Sequence, residues 1–302
     1  MTLVQLKYLV TIANCGSLHI AAKELFVSQP SLSKAIAALE AEMGIVIFSR
    51  SNKGIELTTE GLRFLSYARA VLEQADLLQQ AYSKDHKVKR IFAVSAQHYA
   101  FAVNAFISLI KEYNQDEYEF SLREERTSEI LENVSNYRSD LGLIYFSNFN
   151  EEILLNMLAK HNLNHEHLCD AVPHVFVSKT HPLAGNAFLT FEQLEQYPRF
   201  YYDQGLNNSF YFAEELHAER FVKKNVVVTD RATLFNLLIG LNGYNIATGI
   251  FSTELNTDKI MSIPLKSDEI MRLVYVYPKH RPLTALSKRY ITLLGDAIRD
   301  LT

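Results

Sequence analysis

The sequence predicts an α/β protein built as a small helical head, one long helix and two α/β lobes, and three observations lead there. Residues 14–61 hold two capped helical stretches followed by a glycine-tipped hairpin. Residues 57–82 carry apolar and small side chains at heptad spacing, and beyond Arg90 short apolar strands alternate with helical stretches. Such alternation signals strand-helix-strand units on a parallel sheet. At 302 residues and 48% hydrophobic content the chain has room for more than one core.

In the head, Gly16 suits the left-handed residue that ends a helix, and Ser17 can accept a bond from the free amides of the next one. That helix is expected from about Leu18 to Phe26. Val27 and Ser28 then make a bend, with Ser28 as N-cap and Pro30 in the first turn, where a missing backbone donor does no harm. Leu32, Ile36, Leu39 and Met43 recur at helical spacing and would face the core, leaving Gln29, Ser31, Ser33, Lys34 and Ala37 outward. Short polar side chains at the start of a second helix are what major-groove readout needs, because there they reach base edges without steric conflict. Asn52, Lys53 and Gly54 suit a hairpin tip, from which Arg50 and Lys53 could reach a phosphate or the minor groove; either could equally be a solvated surface charge.

These offsets resemble the winged helix-turn-helix of LysR-type transcriptional regulators. The matching residues are Ala21, Ala22, Leu25, Ser28, Gln29, Pro30, Ser31, Leu32, Ser33, Leu39, Glu40, Gly44, Phe48, Arg50, Leu57, Thr58 and Gly61. The resemblance implies double-stranded promoter DNA as partner, with Ser28, Gln29, Pro30, Ser31, Ser33, Lys34, Arg50 and Lys53 as the contact set. The head departs from the family in charge. Residues 1–60 hold five basic and five acidic side chains, and Ala37 and Ala38 stand where many relatives carry Arg or Lys. Fewer phosphate contacts imply a shallow salt dependence and more reliance on several heads acting together.

From Leu57 the positions Leu57, Gly61, Phe64, Ala68, Val71, Ala75, Leu78 and Tyr82 form a heptad seam. Thr58 is a plausible N-cap with Glu60 in the first turn, and the seam ends near the charged run from Lys84 to Arg90. The seam reads as a dimerising linker helix over 59–89, the competing reading being a helix lying on its own domain. The resemblance implies the same dimer, or the tetramer usual in the family.

Beyond Arg90 come IFAVSA, the helix AFAVNAFISLIKEY, strand FSLREE, helix SEILENVSNYRSD and strand LGLIYF. A second set follows from about Leu168, with HVFVSK, FEQLEQY, RFYYD, NVVVTD, ATLFNLLIGLN and YNIATGIF. The stretches HPLA at 181–184 and GYNIATGI at 243–250 resemble the LysR-type effector domain, itself similar to periplasmic solute-binding proteins. The expected division is a DNA-binding head over 1–58, the linker over 59–89 and an effector domain over 90–302. Within the last, lobe I covers about 90–161 and 268–302, and lobe II about 162–267.

In open α/β sheets ligands settle beyond the carboxyl ends of strands, near helix N-termini. Ser95, Gln97 and His98 follow the first strand, Thr127 and Ser128 can cap the next helix, and Tyr202 and Asp203 follow a strand of the second lobe. Thr248 and Gly249 lie in the segment that matches the family's cleft lining. Ser95, Thr127 and Ser128 could also be ordinary caps. The polar and aromatic mixture points to a small carboxylate-bearing effector, with no cofactor. The stretch SAQHYAF at 95–101 resembles regulators of sulfur amino acid supply in Gram-positive bacteria.

Charge divides unevenly, +3 over residues 1–90 and −7 over 91–302, within a formal −4. An acidic C-terminal part disfavours nucleic-acid contact there. Met1 to Val10 lack a signal-peptide pattern and no run approaches membrane-spanning length, so a cytoplasmic protein without membrane contact is expected. Cys15 and Cys169 lie far apart, which argues against a disulfide and against a peroxide sensor using paired thiols. The sequence carries no Walker loop, dinucleotide fingerprint or nucleophile elbow, so no enzyme is expected. Glu124 with Glu125, and Glu214 with Glu215, read as solvated faces. His161, His165, His167, Cys169 and His174 crowd together, and on a regular strand His165, His167 and Cys169 would share one face, as metal ligands need. A polar crossover segment is the plainer reading. The expected function is therefore an effector-controlled transcriptional regulator, with RNA polymerase as a further partner. The alternatives are an intracellular solute-binding or enzymatic α/β protein whose head serves assembly, and a metal-responsive regulator.

Overall fold

A computed structural model describes residues 1–51, 54–81, 90–113, 117–205, 209–250 and 259–301. It divides into two compact units, Met1–Lys89 and Arg90–Thr302.

In the first unit, helix α1 (Leu3–Cys15) opens on a capping box between Thr2 and Gln5 and stops at Gly16, whose φ of 62° is left-handed. Ser17 caps α2 (Leu18–Glu24) by accepting from the Ile20 amide. This helix ends two residues before the expected Phe26, because Phe26 itself takes a positive φ of 55° to start the bend. Ser28 caps α3 (Gln29–Met43), with Pro30 in its first turn and Gly44 left-handed at its end. Leu32, Ile36 and Leu39 are buried as expected, but Met43 is 41% exposed at the helix terminus.

Strands β1 (Phe48–Ser51) and β2 (Gly54–Leu57) form the antiparallel wing, with Phe48 opposite Leu57. Glu40 ties this wing to α3. Its Oε1 accepts from the Ile47 and Phe48 amides at 2.7 and 3.0 Å, satisfying two backbone donors at the entry to the strand.

Helix α4 (Thr59–Ala81) starts on Thr58, whose hydroxyl accepts from the Gly61 amide and donates to Val46 O. The heptad seam splits along it. Gly61 and Ala68 of the seam are buried, and Ala68, with Leu65 beside the seam, packs into the core of the head with Leu6, Leu9, Leu32 and Ile47. Val71 and Leu78, further along, are 43% and 62% exposed. The first half of the expected seam is therefore the head's own core, and Tyr82 lies outside the described residues.

The second unit opens with β3 (Arg90–Ala96), α5 (Ala100–Glu112), β4 (Tyr118–Glu124), α6 (Thr127–Ser135), β5 (Leu141–Phe146), α7 (Glu151–Lys160) and β6 (Leu163–Ala171). It continues through β7 (His174–Ser178), α8 (Phe191–Leu194), β8 (Arg199–Tyr202), β9 (Asn225–Val228), α9 (Arg231–Gly240) and β10 (Asn245–Ala247). Strands β11 (Ile260–Pro264) and β12 (Met271–Pro278) and helix α10 (Ala285–Leu301) close it.

The first lobe is a five-stranded sheet of order β4-β3-β5-β12-β6. Its β3 pairs parallel with β4 and β5, as strand-helix-strand units require, but β12 runs antiparallel between β5 and β6. The sheet is thus mixed rather than wholly parallel, because β12 enters from the second lobe. Phe101, Phe106, Tyr290 and Leu294 of α5 and α10 pack with one face, and Ile130, Val134, Leu154 and Leu158 of α6 and α7 with the other. The second lobe holds the antiparallel set β10-β7-β11 and the parallel pair β8-β9.

Two sequence expectations change here. Residues 163–171 hydrogen-bond in the first lobe's sheet, so the chain leaves that lobe at Val172 and Pro173 rather than at 162. The register of β6 also shifts between Cys169, opposite Leu273, and His167, opposite Val274, leaving Leu168 as an extra residue. Leu273 and Val274 lie in cores on opposite faces of the sheet. The bulge therefore turns Cys169 to a different face from His165 and His167, and the three-ligand face that a regular strand would give, the metal alternative's premise, is not formed. The His165 ring meets Phe146, and His167 pairs with Asp170 at 2.8 Å. Among the described residues there is no group of three His, Cys, Asp or Glu side chains placed to hold a metal ion.

Candidate functional sites

The first site is the N-terminal turn of α3. Gln29, Pro30, Ser31 and Lys34 are exposed and Ser33 is half-buried, while Leu32 and Ile36 anchor the opposite side of the helix. The Ser28 hydroxyl lies 3.3 Å from the Ser31 amide and 2.7 Å from the Ser31 hydroxyl, so both serines set the helix start. Gln29, Ser33 and Lys34 keep side chains without such local duties and present donors and acceptors outward. Arg50 lies on β1 opposite Ile55, and Lys53 falls outside the described residues.

The second site is a cleft between the lobes of the Arg90–Thr302 unit. It is a cavity of about 40 Å³, lined on the first-lobe side by His98 and Tyr99 and on the second by Tyr202, Glu214, Glu215, Arg231, Asn245 and Thr248. Phe176, Leu234, Ile246 and Ile250 supply an apolar wall. Room for two or three waters is about what such a volume offers, so a metabolite enters only as the lobes part.

Several bonds hold the lobes together around it. The His98 ring stacks on Tyr202 with centroids 3.8 Å apart, and both its amide and its Nδ1 meet Glu214 Oε2 at 2.9 Å. Arg126 pairs with Asp203 at 2.5 Å, and Gln204 Oε1 accepts from the Thr127 amide at 3.2 Å. The Thr127 hydroxyl donates to Phe212 O and accepts from Gln97 Nε2 at 2.6 Å.

His98, Tyr202 and Thr248 thus line the cleft as the sequence suggested, and the other nominated residues do not. Ser95 is fully buried, bonding Glu125 and Ser139. Gln97 is committed to Thr127, Tyr99 and the Tyr145 amide, and Asp203 to Arg126 and the Gly205 amide. Thr127 does not cap α6, since it is the helix's first residue and its amide is taken by Gln204. Ser128 is half-buried in that first turn. Gly249 has a conformational duty, with φ at 74° and a position where a Cβ would lie 2.1 Å from His174 Nδ1. A free helix N-terminus awaiting an anion is therefore not what this cleft offers.

The residues that sequence reasoning missed are the acidic ones. Glu214 and Glu215 are 6% and 2% exposed, not solvated faces. Glu215 Oε1 accepts from the Tyr202 amide at 3.0 Å and from Asn245 Nδ2 at 3.1 Å. Arg199, buried itself, donates to His217 O and Ala218 O and so anchors the loop that carries the pair. Arg231, at the start of α9, meets Glu124 at 3.0 Å.

Burial, reinforced by the Glu214 charge, pushes the Glu215 carboxyl up to about 8. For His98, burial favours the neutral ring, but the Glu214 carboxylate and its hydrogen bond outweigh this and the net shift is upward. Burial also raises Glu124 against the opposing pull of Arg231, and it raises the Tyr202 hydroxyl strongly.

A pH prediction follows from Glu215. Its folded form holds the proton more tightly than the ordinary value of 4.5 implies, so the stabilisation is complete below pH 4.5 and is lost as pH rises towards about 8. His98, also raised, adds a loss in the same direction as pH climbs above its ordinary 6.5. Thermal melts of the Glu215→Gln variant should therefore decline less between pH 5 and pH 8 than those of the parent. Parallel declines in the two proteins would remove Glu215 from this account.

The chain matches two family descriptions in succession. Residues 3–62 match the bacterial regulatory helix-turn-helix protein of the lysR family, and residues 90–299 match the LysR substrate binding domain. Along its length it is 26% identical to the uncharacterized HTH-type transcriptional regulator YnfL of Escherichia coli, over 97% of this chain and 98% of that protein. Its head is 49% identical over 71 residues to the HTH-type transcriptional regulator TcbR of a Pseudomonas species, a stretch covering 24% of each chain. The fold is similar to that of Corynebacterium glutamicum OxyR with hydrogen peroxide bound, with a TM-score of 0.51 and 22% identity over 99% of this chain and 95% of that one. A head that presents a polar helix start beside a wing, followed by two α/β lobes around a cleft, is the architecture these matches describe, and the protein belongs to the LysR family of DNA-binding transcriptional regulators.

Proposed function

We propose that the protein reads promoter DNA through the N-terminal turn of α3, with Gln29 and Ser33 facing base edges and Lys34 facing a phosphate. The observation that carries this is the outward polar turn itself. It is fixed by the Ser28 cap and by the Glu40 tie to the wing, so its side chains meet the duplex pre-positioned. Arg50 and Lys53 of the wing serve the flanking phosphates. Effector binding is typical of the family, and the interlobe cleft around His98, Tyr202 and Thr248 is the place for a small molecule here. The protein acts without catalysis, in the cytoplasm, and meets RNA polymerase at the promoter.

Assembly completes the reading. Val71 and Leu78 are exposed on α4 beyond the part of the seam that the head's core uses, and they suit a helix from a second copy. Val71→Glu or Leu78→Glu would bury an unpaired carboxylate there and should weaken the dimer tenfold or more, about 1.4 kcal/mol. Sedimentation at micromolar concentration reads this directly; unchanged oligomers in both variants would make the seam an element of one subunit only.

Selection of duplexes from a randomised pool tests the function as a whole. The protein should enrich a site with interrupted dyad symmetry. A pool returned without enrichment would contradict sequence-specific regulation.

A further inference from the structure

The cleft contains two buried polar atoms that the folded chain leaves without a hydrogen bond. One is Glu215 Oε2, on a side chain 2% exposed, and the other is Arg231 Nη1. Both residues line the cavity. Buried polar atoms are nearly always bonded, because an unmet donor or acceptor away from water is destabilising. Glu215 Oε2 becomes an acceptor once a cation beside it offsets the burial and the Glu214 charge that hold its proton, so with the Arg231 donor it marks groups that a ligand would complete.

The remaining partners of these side chains are already committed. Glu215 Oε1 serves Tyr202 and Asn245, Glu214 holds His98 and accepts from Gln204 Nε2 at 3.3 Å, and Arg231 Nη2 faces Glu124. A lone carboxylate ligand would find Arg231 but would also meet the field of Glu124 and Glu214. A lone amine would find the carboxyls but would crowd the Arg231 guanidinium. A molecule carrying both groups could serve both atoms, and with the lobes parted the apolar wall of Phe176, Leu234, Ile246 and Ile250 would face its tail.

We infer that the effector is a small zwitterion of the α-amino acid type, its carboxylate on Arg231, its ammonium on Glu215 and its side chain on the apolar wall. This rests on the interlobe cleft being the effector site, and it replaces the plain carboxylate-bearing metabolite that the sequence suggested. The charge of the zwitterion is matched on both sides, which is how a buried polar site gains discrimination over ligands lacking one group.

Calorimetry on the full chain with three matched sets tests the inference. The sets are 2-aminobutyrate with propylamine and butyrate, methionine with 3-methylthiopropylamine and 4-methylthiobutyrate, and phenylalanine with phenethylamine and 3-phenylpropanoate. In at least one set the zwitterion should bind at least tenfold more tightly than either partner. Arg231→Gln should erase its advantage over the amine, and Glu215→Gln, which keeps the bonds made by Oε1, its advantage over the acid. An acid or amine that equals its zwitterion in every set that binds, or no binding by any of the three zwitterions, overturns the inferred class. Should an acid or amine bind and lose affinity in these variants, the cleft remains the effector site and only the class fails. A zwitterion that binds both variants as it binds the parent would place the site elsewhere and remove both.

Discussion

Replacing Gly61 with alanine is expected to unfold the head far below the parent's transition. A Cβ at this position would lie 2.1 Å from Ile47 O and 2.9 Å from Ile47 C, both backbone atoms. The same carbonyl accepts the Thr58 amide at 3.0 Å, so it cannot swing aside without releasing the N-terminus of α4. Overpacking against a fixed backbone costs about 3 kcal/mol, near the upper end of its usual range. For a unit of this size that is a fall of roughly 12 to 24 °C in Tm. Calorimetry should show the loss in the Met1–Lys89 transition, with DNA binding lost alongside it. An unshifted head transition would mean that α4 does not approach the wing this closely.

Changing Gln29 and Ser33 should act on a different quantity. Neither side chain supports the head's core, so stability should hold while sequence discrimination falls, by about 1 to 3 kcal/mol for each base no longer read. Lys34→Ala should instead weaken binding to every duplex and reduce the salt slope by about one unit, as removing a phosphate partner does. The net charge of zero over residues 1–60 makes this contrast easier to read, since few other phosphate-binding side chains compete with it. Filter binding of operator and random duplex over a salt series separates the two behaviours. If Gln29→Ala and Ser33→Ala lowered affinity for both duplexes equally, these residues would be touching the backbone and not the bases.

The head was legible because its signals are local. Gly16, Ser17 and Ser28 act within one helical turn, and all three do in the structure what their neighbours in sequence imply. The alternation of strands and helices revealed the first lobe through β5 for the same reason. What escaped depends on pairings between distant residues. The heptad spacing from Leu57 could not reveal that Gly61 and Ala68 would be buried in the head while Val71 and Leu78 stay exposed. The insertion of β12 between β5 and β6, and the bulge at Leu168, are long-range pairings that no periodicity announces.

In the cleft, His98, Tyr202 and Thr248 were found from their places after strands and in the family's segment. Ser95, Gln97, Thr127 and Asp203 had equally good sequence positions, but their groups were taken by Glu125, Tyr99, Gln204 and Arg126. Glu214 and Glu215 follow a short 3-10 turn at Phe210–Phe212 and sit in no regular element. No period could say which way they point. The one available signal was their apolar flanks, Ala213 and Leu216, which are 5% and 1% exposed.

The most direct measurement of the central claim is the ratio of operator to random-duplex affinity for the parent protein at physiological salt, repeated with Gln29→Ala and Ser33→Ala combined. A regulator that reads bases through α3 should favour its operator by about a thousandfold or more. The double variant should lose at least tenfold of that ratio while its head melts where the parent's does. A parent ratio near one, or a double variant with the parent's ratio intact, would contradict the reading of α3 as the element that selects the DNA.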